Sequence, residues 1–244
     1  MKDTVTILDV PFSTYSLEQT VEVLMQTVQK EMSKPFHLIT GNPEIVLKHQ
    51  EDAELRQIIA EADFITPDGV GILLAAKWQG SPLPERVTGV DLLINLLEAG
   101  NHTGLSFYFL GAKEETSKLA VDNISKEYPN VKIAGRHHGY FNENEEEIIL
   151  THIEQTRPDI VIVALGAPLA EKWIYNHRDR LKTKVTFGVG GSLDIIAGTV
   201  KRAPMLWQKL NIEWLHRLLS QPSRWRRQLV LPVFAYRAYT SRKR

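Results

Sequence analysis

Seven short runs of β-branched and aromatic residues punctuate this chain, and most are apolar at every position rather than at every second one. They are Val5–Ile7, Phe36–Thr40, Phe64–Thr66, Ser106–Leu110, Val131–Ala134, Ile160–Leu165 and Val185–Val189. A strand that buries one face alternates apolar and polar residues; a strand covered on both faces does not. Between the runs lie stretches with helical spacing: Leu17–Glu31, Pro43–His49, Ala53–Glu61, Val90–Ala99, Glu114–Glu127, Glu143–Gln155 and Ala170–Asn176. Strand and helix in alternation predict an α/β fold, a mostly parallel sheet flanked by helices. No internal repeat or low-complexity linker interrupts the pattern.

The charges are unevenly placed. The 29 Lys and Arg balance the 29 Asp and Glu. Yet residues 201–244 hold eleven of the basic residues and a single acid, Glu213, leaving residues 1–200 equally acidic. The shift falls at Lys201-Arg-Ala-Pro204. It predicts a core of residues 1–200 and a C-terminal helical appendage of residues 201–244. Within the appendage Pro204–Ser220 reads as one helix. Trp207, Leu210, Trp214 and Leu218 form its stripe, and Lys209, Glu213, His216 and Arg217 lie opposite. A second helix is expected over Pro222–Leu231. Basic residues interleaved with Trp, Leu and Tyr fit an anionic, partly apolar partner, either a membrane surface or a nucleic acid. No run approaches the roughly 18 apolar residues of a membrane span, and the N-terminus lacks a signal peptide's apolar stretch. A chain that meets a membrane this way lies on it. Exposed Trp and Leu in the appendage also predict a homo-oligomer when no membrane is present. There is no Cys, which excludes a disulfide framework and thiol chemistry.

In a parallel sheet, ligands bind where strands end and helices begin. Four strand ends carry small or polar residues. Thr40-Gly-Asn-Pro43 has the composition of a helix cap, with Asn42 as cap and Pro43 in the first turn; its Thr and Asn side chains also suit a sugar or phosphate. Thr66-Pro-Asp-Gly69 sets Asp68 in a tight turn. There it either caps the next helix or serves as general base for a substrate hydroxyl. Gly166-Ala-Pro-Leu-Ala-Glu171 and Gly188-Val-Gly-Gly-Ser192 resemble phosphate cradles. The second fails the dinucleotide fingerprint, because Leu193 stands at the third glycine position. A metal site is not expected: His137-His138 lacks a third ligand in sequence, and neighbours on a strand point to opposite faces. No Asp-x-Asp is present to hold a metal against a sugar diphosphate, so the basic appendage is the candidate to neutralise a leaving group.

The ordered set of motifs resembles the WecG/TagA/CpsF family, glycosyltransferase family 26. It comprises Thr40-Gly-Asn-Pro-Glu44, Thr66-Pro-Asp-Gly69, Arg86-Val-Thr-Gly89 with Asp91, and Ala164-Leu-Gly-Ala-Pro168 with Glu171-Lys-Trp173. Gly188-Val-Gly-Gly-Ser192 with Asp194, Gly198-Thr-Val-Lys-Arg-Ala-Pro204, Glu213-Trp-Leu-His-Arg-Leu218 and Arg224-Trp-Arg-Arg227 complete it. Within the family the TagA branch, whose members transfer N-acetylmannosamine (ManNAc) in wall teichoic acid synthesis, is the most similar. The resemblance implies a GT-E fold, a Rossmann-like core whose C-terminal appendage meets the membrane. It implies an inverting transfer of ManNAc from UDP-ManNAc to undecaprenyl-diphosphate-linked GlcNAc at the cytoplasmic membrane face, with no metal or other cofactor. By position, Asp68 corresponds to the base. Thr40, Asn42 and Arg86 correspond to the donor-sugar pocket, and Arg217, Arg224 and Arg227 to the arginines that stabilise the diphosphate. Gly166, Pro168, Gly188, Gly190, Gly191 and Asp194 complete the expected substrate-binding set.

This chain departs from the family at one pocket position. Where the family reads Gly-x-Pro-x-Gln-Glu, Ala170 replaces the Gln. Two further readings stay open: a transfer of another sugar, such as ManNAcA from its UDP donor, and a non-catalytic α/β module whose basic tail binds nucleic acid. The Trp and Leu stripe and the turn carboxylate favour the transferase, with no nucleic-acid partner.

Overall fold

The computed structural model describes residues 4–209, 212–220, 225 and 229–241. Six strands form one parallel sheet in the order β4-β3-β8-β7-β5-β6. They are β3 (Phe36–Gly41), β4 (Phe64–Pro67), β5 (Ser106–Gly111), β6 (Lys132–His137), β7 (Ile160–Ala164) and β8 (Val185–Gly188). β1 (Thr4–Ile7) and β2 (Val10–Ser13) pair apart from it as an antiparallel hairpin. The expected strand Val5–Ile7 is therefore no member of the parallel sheet. Its turn residues Leu8 and Asp9 both have positive φ, the backbone of a tight two-residue hairpin turn usually supplied by Asn-Gly.

The helices are α1 (Leu17–Thr27), α2 (Pro43–Glu51), α3 (Ala53–Glu61), α4 (Val70–Trp78), α5 (Gly89–Thr103) and α6 (Glu114–Glu127), followed by α7 (Glu143–Thr156), α8 (Leu169–His177) and α9 (Ser192–Ile196). α10 (Met205–Lys209), α11 (Glu213–Ser220) and α12 (Val230–Ser241) follow them. Successive strand residues feed opposite sides. Leu38, Phe107, Phe109, Ile160, Ile162 and Phe187 pack with Leu24 of α1, Leu92 and Leu96 of α5, Ile124 of α6 and Leu193 of α9. On the other face Ile39 and Ile65 pack with Ile45, Ile58 and Ile72, while Tyr108, Leu110, Val161 and Val163 meet Leu150 and Trp173. Both faces are dry, which is why the strands read as unbroken apolar runs.

The C-terminal region departs from the sequence expectation in two ways. Pro204–Ser220 is split into α10 and α11, and Ile212 N–H donates to Trp207 O at 3.0 Å in a helix-terminating bond. The break turns His216 toward Trp207, with ring centroids 5.6 Å apart, although one continuous helix would hold them on opposite faces. It also buries Glu213 to 5 % exposure. A further helix, not expected from the sequence, begins at Val230, so Pro232 lies in its first turn, where the missing N–H costs nothing. Most of the predicted segment Pro222–Leu231 lies outside the described residues. α12 lies on α2 and α4, with Phe234 and Ala238 buried among Ile45, Ile72 and Ala75. Burial of a Phe side chain stabilises by about 2–3 kcal/mol.

Candidate active site

A cleft of about 520 Å³ opens at the carboxyl ends of β3, β4, β7 and β8, four neighbours in the sheet. Thr40 and Asn42 leave β3, Asp68 leaves β4, Gly166 follows β7, and Gly188, Gly190, Gly191 and Asp194 follow β8; all line the cleft. Arg86 enters from the loop before α5. Pro168 is the N-cap of α8 and is not among the lining residues. The structure thus brings nine of the expected substrate-site and base residues to one wall, as the parallel-sheet rule requires.

The Asp68 turn is fastened from both sides. Asp68 N–H donates to Gly41 O at 2.8 Å, and Val87 N–H donates to Pro67 O at 2.9 Å. Thr66 Oγ1 donates to Val87 O at 3.2 Å. Gly69, with φ +101°, takes a backbone that L side chains rarely adopt and is itself the N-cap of α4. Asp68 therefore precedes the cap position instead of filling it. A Cβ on Gly71 would lie 3.1 Å from Pro43 and 3.6 Å from Phe234, so α12 presses on the helix that carries this turn.

Asn42 does cap α2, accepting from Ile45 N–H at 3.0 Å while lining the cleft; the cap and site readings coexist. Thr40 Oγ1 donates to Gly188 O at 3.0 Å, which locks β3 to β8 at the floor. The turn after β8 leads into the five-residue α9, where Ser192 Oγ donates to Val189 O at 2.6 Å.

α11 covers the cleft through charge. Glu213 Oε2 accepts from Arg86 Nη1 at 3.2 Å, and Glu213 Oε1 lies 3.9 Å from Arg202 Nε. Arg202 Nη2 in turn pairs with Asp91 Oδ1 at 2.6 Å. Asp91 is held by Thr88 Oγ1, which donates to it at 2.6 Å while capping α5. Trp214, Val230 and Leu231 line the mouth. Arg217 belongs to α11, which brings its backbone to this side, but its side chain lies outside the described residues; Arg224 and Arg227 lie outside them altogether.

Sequence reasoning passed over Glu171 as a site residue. It lines the cleft at 3 % exposure. Burial pushes its carboxyl up to about 7, with the Glu44 carboxylate adding to the rise and its own backbone amide and Lys48 opposing it. Burial of a carboxyl at i+1 from a small residue leaves no mark in composition or periodicity. Glu213 was equally hidden, because its partner Arg86 is 127 residues away.

His137 and His138 meet a third ligand-type group after all. β6 ends at His137, so the alternation of strand side chains lapses and the two rings come within 4.4 Å. Glu145, at the start of α7, joins them, and one ligand atom from each lies within 4.8 Å of the others. None of the three lines the cleft.

The sequence profile of the glycosyl transferase WecG/TagA/CpsF family matches residues 5–244. The chain belongs to that family. Among its relatives is an N-acetylglucosaminyldiphosphoundecaprenol N-acetyl-β-D-mannosaminyltransferase from Bacillus subtilis strain 168. It is 38 % identical over 196 residues, covering 80 % of this chain and 76 % of the relative. A protein of the same name from Staphylococcus aureus strain MRSA252 is 33 % identical over 240 residues, covering 98 % of this chain and 94 % of that one. A third, from Bacillus spizizenii, is 34 % identical over 210 residues, covering 86 % and 81 %. As a WecG/TagA/CpsF member the chain has an α/β core and a helical C-terminal region.

Proposed function

We propose that this chain transfers ManNAc from UDP-ManNAc to the 4-hydroxyl of GlcNAc on undecaprenyl diphosphate, as the names of its relatives describe for donor residue and acceptor lipid. The observation that carries the reading is the cleft at the strand ends, which gathers Thr40, Asn42, Asp68 and Arg86 from three segments of the chain. Asp68 takes the proton of the acceptor hydroxyl as that oxygen attacks the anomeric carbon from the side opposite UDP. One displacement inverts the centre. Charge then develops on the departing diphosphate, and arginines are suited to receive it because the guanidinium is planar and permanently charged. Arg86 is within the cleft; Arg217, Arg224 and Arg227 complete the set in this reading, and no metal is required for the step.

Residues 201–244 act as the membrane-associating appendage at the cytoplasmic face. Among the described residues no helix is long and apolar enough to cross a membrane. Met205, Leu206, Leu219, Trp225, Leu229 and Tyr236 are exposed, and the segment is strongly basic, so it suits an anionic surface with an apolar interior. The acceptor's lipid tail lies in that surface, and α11 brings the covering segment to the cleft mouth.

The test is Asp68→Asn in the full chain. The reading expects transfer to fall at least about a thousandfold while UDP-ManNAc binding and thermal stability stay close to the parent's. Retained turnover would remove Asp68 from the base role.

A further inference from the structure

Glu171 is buried where a carboxylate is poorly served. Its Oε2 has no hydrogen-bond partner among the described residues. Of the buried polar side-chain atoms in that condition, it is the one belonging to a cleft-lining residue. The carboxyl lies against the floor: a Cβ built on Gly188 would stand 2.9 Å from Glu171 Oε1 and 3.1 Å from Ala170 Cβ. Thr40 Oγ1 is bonded to the carbonyl of that same Gly188. The hydroxyl of Thr40, the carboxyl of Glu171 and the small Ala170 therefore share one corner, at the ends of β3 and β8.

The charged groups around this corner leave Glu171 unneutralised. From α2, Lys48 is paired with Glu44 at 3.0 Å. On α8 itself Lys172 is turned to Asp52 and Glu54, at 2.6 and 2.7 Å, and Arg178 pairs with Glu61. A desolvated carboxyl without a dedicated cation keeps its proton. It then holds an O–H with no acceptor, buried beside the cleft that Glu171 lines. Ala170, one position earlier, contributes only a methyl group to this corner.

We propose that Glu171 is a donor-binding residue, a protonated carboxyl that donates a hydrogen bond to a neutral oxygen of the bound sugar, either a hydroxyl or an amide carbonyl. This rests on the reading of the cleft as the nucleotide-sugar site. It assigns Glu171 a task separate from the base: Asp68 must be ionised to accept a proton, and Glu171 must be neutral to give a hydrogen bond. Two carboxyls in one cleft with opposite requirements are separated by their surroundings.

The experiment is calorimetric binding of UDP-ManNAc and of UDP to the full chain, to Glu171→Gln and to Glu171→Ala, from pH about 6 to about 8.5. Glu171→Ala is expected to weaken UDP-ManNAc about tenfold and to leave UDP unchanged. Glu171→Gln keeps a neutral donor and is expected within about threefold of the parent at pH 6. Parent affinity for UDP-ManNAc should fall as pH rises through 7, and that of Glu171→Gln should stay level. The inference is overturned if Gln and Ala weaken the sugar nucleotide alike, if UDP weakens in parallel, or if the parent gains no affinity from the sugar. A parent that binds no UDP at all overturns the reading of the cleft, and the inference with it.

Discussion

Replacing Glu171 by Gln should make the chain more stable at neutral and alkaline pH. The carboxyl rises from its ordinary 4.5 to about 7 because burial disfavours the charged form. The folded state thus binds a proton that the unfolded state has released. Stability from this group is present in full below pH 4.5 and is lost as pH rises through about 7. At about 1.4 kcal/mol per pH unit, the loss is about 3 kcal/mol. His37 works in the opposite sense: its burial lowers it from 6.5 to about 4, so its penalty grows as pH falls through 6.5. The two slopes overlap near pH 5–6 and mask each other in the parent protein alone. The difference between parent and Glu171→Gln removes His37, which both retain. Urea unfolding of the pair at half-unit steps from pH 4.5 to 8 should show the parent losing about 3 kcal/mol relative to the variant. A difference that is flat over that range would refute the claim that Glu171 is buried and protonated.

Three further outcomes follow from the packing. Glu213→Ala strips the partner from Arg86 and Arg202; breaking a buried pair costs about 3–5 kcal/mol, and the loss should appear as undocking of α11. Hydrogen exchange of residues 213–220 should accelerate at least tenfold while that of the β5 and β7 amides is unchanged; unaltered exchange in α11 would show that the pair does not hold the cover. Phe234→Ala removes a side chain that is 1 % exposed and should cost about 3–5 kcal/mol, read as a lower denaturation midpoint; a loss under about 1 kcal/mol would mean that α12 barely contributes to the core. Ala170→Gln should raise transfer or sugar-nucleotide affinity if the corner beside Gly188 accepts an amide, whereas a drop in both would show that this chain has repacked the corner around alanine.

Much of the fold was legible because both faces of the sheet are covered. Phe107, Tyr108, Phe109 and Leu110 go alternately to the two sides, and both sides are dry, so the strands announce themselves as apolar runs. β2 was not legible: Pro11 argues against a strand, and the turn at Leu8 and Asp9 lacks the glycine that marks most hairpins. The break between α10 and α11 was hidden for another reason. A helical wheel assumes continuity, and the bond from Ile212 N–H to Trp207 O that ends the first helix is a backbone event with no side-chain signature. The cleft residues Thr40, Asn42, Asp68 and Gly188 were readable from one rule, that parallel strands end on a common edge. Glu171 and Glu213 were not, since burial of a lone carboxyl and a pairing across 127 residues depend on packing that no local pattern records.

The central claim is the transfer itself, and it is tested most directly by incubating the purified full chain with a short-chain GlcNAc-diphospholipid and either UDP-ManNAc or UDP-ManNAcA, in chelator and on anionic vesicles. The account predicts a ManNAc-β-1,4-GlcNAc lipid from UDP-ManNAc alone. Product from the uronic donor instead, or none from either while UDP binds, would contradict it.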